Sequence, residues 1–359
     1  MILWIIEVSK RRGNMLYYIK QTRMIKAAKD SLLLSNKPQS LFGELMVFVL
    51  VAMICSVPQS LASSAVLLVI MFNDPAYLEI IANTITSGGN VDAEAINKYV
   101  DEFTQNIPSI YYVVMLASAG FMILGAIIYC KNFQKRSAFS LGFNSNGFAL
   151  EYLVGLILGL VMISLPALIC HLTGCVVLAP SDSVSPLTIA LFLAAFILQG
   201  MGEEALFRGY LLTSLARRNN IWFAIVVSSL MFAVFHGGNA EFSLIAFINI
   251  ALFGVFASVF TLKRGNIWGI SAIHSIWNFA QGNLFGFRVS GNPKLDSVLT
   301  ATDQGFGSIL SGGRFGLEGG LGATVVLLIA ILCALLMPTK QSEIVPDEPE
   351  KSQEEPISF

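Results

Sequence analysis

Charge is scarce in this sequence. Lysine, arginine, aspartate and glutamate together make up 13% of its 359 residues, about half the share of an average soluble domain. The net charge is -1, so no basic face is left to meet a nucleic acid, and none is expected as a partner. Cysteine occurs at Cys55, Cys130, Cys170, Cys175 and Cys333 without metal-ligand or disulfide-framework spacing, and these read as small core residues. Histidine occurs three times and never in an HExxH arrangement, which removes the commonest helical zinc-protease signature. There is no repeat at a fixed period, nor a matched pair of broken helices of the kind that marks an inverted-repeat transporter.

What the chain has in quantity is apolar side chains, 55% of it, with a mean hydropathy of +0.70. This composition predicts an all-α polytopic membrane protein with about eight spans of about 20 residues. A basic segment, residues 1–40, carries eight lysines and arginines against Glu7 and Asp30 and is expected to stay cytoplasmic, lying along anionic lipid. A transmembrane domain is expected over 41–337 and an acidic, disordered tail over 338–359. Within the domain the apolar runs begin near Leu41, Ser109, Gly147, Leu187, Ile221, Phe242, Ile267 and Leu321. Lys131, Lys135, Arg136, Arg217, Arg218, Lys263 and Arg264 fall at alternate ends, which puts both termini in the cytoplasm of a plasma-membrane protein. The acidic stretch 73–108 and the glycine-rich stretch 286–320 then lie outside, the latter reading as a linker.

In so apolar a chain each ionisable group needs a reason. The run from Met201 to Tyr210 reads M-G-E-E-A-L-F-R-G-Y. Glu204 and Arg208 are four apart and share a helical face, where they can pair. Glu203, turned by about 100°, is left over, although spacing alone does not decide which carboxylate does chemistry. His236 closes the fifth expected span with Phe232 one turn before it, and His274 and Asn278 share a face of the seventh. Taken singly, these are an ion pair, a core or interfacial histidine and an interhelical polar clamp. Depth joins them: a rise of about 1.5 Å per residue sets Glu203 and His236 roughly 22 Å, and His274 roughly 15 Å, from the inner ends of their helices. A desolvated carboxylate can act as general base toward water with a histidine relaying the proton, while a second histidine and an amide donate to an oxyanion. That combination describes amide hydrolysis by water.

The three motifs carry a resemblance. Glu203-Glu204-Ala205-Leu206-Phe207-Arg208 is similar to the EExxxR motif of the CAAX prenyl protease and bacteriocin-processing (CPBP, or Abi) family, Phe232 to His236 to its FxxxH motif, and His274 to Asn278 to its HxxxN motif. The stretch K-R-G-N-I-W-G-I-S-A-I-H-S-I-W-N-F from Lys263 to Phe279 also resembles the family's approach to the last motif, and the likeness covers 187–282. It implies a central four-helix catalytic core and an intramembrane glutamic or metallo-endopeptidase, closest to the bacterial branch. Glu203 and His236 would activate water, His274 and Asn278 would form the oxyanion site, Glu204 and Arg208 would orient the cluster, and Phe232 would pack beside it. No cofactor is the preferred reading; the metal alternative is Zn2+ held by Glu203, Glu204, His236 and His274. Membrane lipids and a membrane-associated peptide or protein substrate are the expected partners, in CAAX-type processing, peptide maturation or bacteriocin self-immunity. A proton-coupled transporter and a non-catalytic immunity or scaffold protein are the competing uses of the same residues.

Overall fold

The computed structural model describes residues 15–33, 40–144 and 147–344. Each expected span coincides with a helix, and five helices are long and apolar enough to cross a membrane by length and composition: α2 (Leu41–Phe72), α5 (Ser109–Asn132), α6 (Phe148–Leu172), α7 (Pro186–Ala216) and α9 (Leu244–Arg264). Two more, α8 (Ile221–Phe235) and α11 (Leu321–Leu336), are apolar but shorter. The last, α10 (Trp268–Phe279), is prolonged by a π-helical turn, Ala280–Leu284. Their outer faces are covered with exposed apolar side chains, among them Met53, Leu61 and Val69 on α2, Ile157 and Leu168 on α6, and Leu328 and Leu332 on α11. Water would disfavour such a belt; a bilayer does not.

Sequence chemistry sets the helix ends. Ser40, Ser185, Asn220 and Ser243 each accept a hydrogen bond from a first-turn amide of the helix that follows, closing donors that would otherwise be orphaned. Gly265 ends α9 in the left-handed conformation, with φ of 69°. The acidic stretch 73–108 is organised by the same rule, since Asp74 and Asp92 cap the short helices α3 (Pro75–Thr86) and α4 (Ala93–Gln105). Beyond α6 the chain makes a strand, β1 (Val176–Pro180), that pairs antiparallel with β2 (Leu299–Asp303) and ties the 286–320 stretch to the same end of the bundle.

Two glycines seat α6 on α10. A Cβ at Gly155 would lie 2.3 Å from the carbonyl oxygen of Gly269, and one at Gly159 would lie 2.7 Å from that of Ile273. Spaced four apart, they form a small-residue stripe of the kind that lets membrane helices approach backbone to backbone. Gly155→Val is therefore expected to lower stability by about 1–3 kcal/mol, measured as a fall in Tm in detergent; an unchanged Tm would refute close contact at this crossing.

At the opposite end the basic residues do more than mark a side. Lys263 is buried and its ammonium donates to the carbonyl of Leu335 at 2.6 Å and to that of Met337. Arg264 and Lys340 both pair with Glu151, and the amide of Lys340 donates to Lys263. Residues 338–344, expected to open a disordered tail, are part of this folded end, with Glu343 buried; 345–359 lie outside the described residues. Of the basic N-terminal segment, residues 1–14 and 34–39 lie outside the described residues. In α1 (Arg23–Leu33) the apolar residues Met24, Ile25 and Ala28 are buried against protein, and Ser31 accepts from Arg217 at 2.9 Å. The hydrophobic face that lipid was expected to cover is satisfied by the bundle.

Candidate active site

Helix α7 changes character at the acidic pair. It is α-helical to Glu204, π-helical from Ala205 to Leu212, and α-helical again to Ala216. A wide turn of this kind is uncommon and recurs at functional sites. It leaves backbone carbonyls in need of donors, and Arg136 supplies them, its guanidinium donating to the carbonyls of Gly209 at 2.9 Å and Tyr210 at 3.3 Å and to the Ser214 hydroxyl at 2.8 Å. By charge Arg136 reads as a cytoplasmic loop residue. Its side chain is instead buried to 1% exposure, because this turn requires it.

Glu204 and Arg208 form the expected pair, 3.1 Å apart and both fully buried. The pair is tied to two other helices. Glu204 Oε1 also meets Nδ1 of His274, on α10, at 2.9 Å, and the guanidinium of Arg208 lies 4.4 Å from the ring centroid of Phe232, on α8. Phe232 thus packs beside the cluster as expected and also gives the fully buried Arg208 a cation–π partner.

Glu203 points elsewhere, as the helical rotation predicts. Its Oε1 accepts a hydrogen bond from Gln199 Nε2 at 2.5 Å, and Gln199 Oε1 accepts one from Asn278 Nδ2 at 3.1 Å. Its Oε2 is buried with no hydrogen-bond partner among the described residues, standing 3.9 Å from Nε2 of His236 and 3.8 Å from Nε2 of His274. These separations are too long for direct hydrogen bonds and suit a shared water. The tautomer of His236 follows from its other nitrogen. Nδ1 lies 2.8 Å from the carbonyl of Phe232, which can only accept, so Nδ1 carries a proton, and in the neutral form of the ring it is Nε2, the nitrogen facing Glu203, that holds the lone pair.

The structure thus brings Glu203, Glu204, Arg208, Phe232, His236, His274 and Asn278 into one cluster built from α7, α8 and α10. It opens on a cavity of about 460 Å³ whose wall includes Phe196, Leu206, Phe207 and Phe253, within the size range of ligand pockets. The 286–320 stretch, expected to be a linker, closes one side of that cavity with Val289, Ser290, Leu295 and Glu318. The Ser290 amide and hydroxyl donate to Glu318 Oε2 at 3.0 and 2.6 Å. Burial holds the Glu318 carboxyl above its ordinary range, the bonds from Ser290 opposing that rise only in part.

Three polar residues at or behind this site escape a motif reading. Gln199 was within reach of one, because it precedes Glu203 by four residues and so shares its helical face. Glu318 and Arg136 come from distant loops, and no local spacing points to them.

The four residues named as a zinc set do not act as one donor set. Glu204 is bound to Nδ1 of His274, the ring nitrogen other than the one facing Glu203, and is shared with Arg208. Among the described residues no group of three or more histidine, cysteine, aspartate or glutamate side chains is arranged to hold a metal ion. The donors do not fit the four-coordinate site.

No curated protein and no solved structure matches the chain. Residues 185–280, which carry the acidic pair, the arginine, both histidines and the asparagine, match the family described as Rce1-like, type II CAAX prenyl endopeptidase Rce1-like. The chain is similar to that family through this helical core, residues 185–280.

Proposed function

We propose that the chain is an intramembrane endopeptidase that hydrolyses a peptide bond of a membrane-associated protein or peptide with a water activated by Glu203. The observation that supports this best is the position of Glu203 Oε2, unpartnered and 3.8–3.9 Å from two imidazole nitrogens. A water between them can donate one hydrogen to Oε2 and the other to Nε2 of His236, which turns an oxygen lone pair toward an incoming carbonyl carbon. As that oxygen bonds to carbon, its proton passes to Glu203 and the carbonyl oxygen becomes an oxyanion. Asn278 has one amide hydrogen committed to Gln199 and one left to donate. His274, with Nδ1 held by Glu204, offers Nε2–H in its imidazolium form as the second oxyanion donor. Collapse of the tetrahedral intermediate breaks the C–N bond, and the proton taken by Glu203 or His236 goes to the leaving amine, so one water yields one new carboxylate and one new amine.

The test is cleavage of a lipid-anchored reporter peptide by the purified chain in proteoliposomes, with products identified by mass spectrometry. Turnover is expected in wild type and not in Glu203→Ala. It is also expected to persist within about twofold after treatment with a strong chelator, since a glutamate base needs no metal. Loss of activity on chelation with recovery on adding Zn2+ would replace the glutamate mechanism by a metal one.

A further inference from the structure

We infer that Glu318 binds a positively charged group of the substrate, an ammonium or guanidinium close to the scissile bond, and so sets which sequences are cut. Calling the ligand a substrate rests on the peptidase reading; the charge of the site rests on the cavity wall. Glu318 lies outside residues 185–280, on the short turn Leu317–Gly319, so the shared catalytic core does not explain it.

That turn is pinned. Asn249, on α9, donates from Nδ2 to the carbonyls of Glu318 at 2.7 Å and Gly320 at 2.9 Å. Gly316, with φ of 106°, lies so near the carbonyl oxygen of Arg288 that a Cβ would come within 2.0 Å of it. With the backbone fixed, the two bonds from Ser290 fix the carboxylate by its Oε2. Oε1 makes no hydrogen bond among the described residues, and Glu318 is part of the cavity wall.

Glu203 and Glu318 line the cavity together with His236 and His274, and no lysine or arginine does, so two carboxylates face at most the two imidazoles. The nearby Arg314 is on the surface, where it pairs with Glu241 at 3.2 Å. A carboxylate held by one oxygen and open at the other, in an otherwise largely apolar cavity, is arranged to accept a charge-assisted hydrogen bond from a cation that reaches it. A purely structural use, stapling the loop through Ser290, would need only a neutral acceptor, and the test separates the two.

Lipid-anchored reporter peptides with a single lysine or arginine, scanned through the positions on either side of the cleaved bond, are compared with norleucine and glutamine counterparts in the wild type, Glu318→Gln and Ser290→Ala proteins. N-acetylated and free N-terminal forms tell a side-chain cation from a terminal amine. Wild type is expected to prefer the cationic peptide by roughly 30-fold in kcat/KM, the scale of a buried charge partner. In Glu318→Gln the ratio of cationic to neutral turnover should fall toward one, with a partial fall in Ser290→Ala. No preference in wild type, or an equal slowing of both peptides in Glu318→Gln, overturns the inference. Binding of fluorescent lysine and norleucine peptides to Glu203→Ala, with and without Glu318→Gln, is measured by anisotropy in nanodiscs. If nothing is cleaved yet lysine is preferred and the preference needs Glu318, the cation site stands and the peptidase reading falls. Equal binding of the two peptides overturns the cation site whatever cleavage shows.

Discussion

Glu203→Gln is expected to lower kcat/KM for a reporter peptide by roughly 10³-fold, the scale of a lost general base, with Tm unchanged within error. The substitution keeps the side chain's size and lets the new carbonyl go on accepting from Gln199, as Oε1 does at 2.5 Å. What it removes is the oxygen facing the two imidazoles, whose place is taken by an amide that cannot receive a proton. Because Glu203 makes no ion pair with Arg208, the loss should fall on kcat and leave both KM and folding nearly untouched. Retained turnover would sink the assignment of the base. A fall in Tm as large as that of Glu204→Gln would show that the two carboxylates are not separated into chemical and structural roles.

That separation was only partly legible in the sequence. The four-residue spacing of Glu204 and Arg208 predicts their pairing, and the helical rotation predicts that Glu203 diverges; both are local rules and both hold. Comparable depth for Glu203, His236 and His274 followed from the rise along each helix, which is also local arithmetic, but depth left open whether their faces converge. Other features depended on the turn after Glu204 and on chain that returns from far away. The π-helical stretch from Ala205 to Leu212 has no composition that announces it, and Arg136, which satisfies its carbonyls, lies more than seventy positions earlier in a segment that reads as a basic loop. Glu318 reaches the cavity only because β1 and β2 pair and Asn249 fixes the turn, and pairings between distant segments leave no periodic trace. The spans were legible because bilayer thickness imposes length and hydropathy on each one separately. Basic charge was a weaker guide, since Lys263, Arg217 and Arg136 are buried and bonded within the protein and so are constrained by packing as well as by membrane side.

The second large effect concerns that packing. Arg208→Met is expected to lower stability by about 3–5 kcal/mol, the cost of breaking a buried ion pair from one side, seen as a large fall in Tm or failure to insert. It leaves Glu204, fully buried, without its cation, and it removes the guanidinium that lies on Phe232. Replacing both members, Glu204→Met with Arg208→Met, should recover most of the stability, because two matched apolar groups strand no charge. The double variant should still be inactive. His274 would have no acceptor for its Nδ1 proton, which Glu204 Oε1 takes at 2.9 Å, so its Nε2 would no longer be held toward Glu203. Recovered Tm without recovered turnover is therefore the result that assigns the ion pair two roles, one in folding and one in orienting His274. Recovery of both would reduce the pair to a structural element, and recovery of neither would mean that its surroundings cannot accept an apolar replacement.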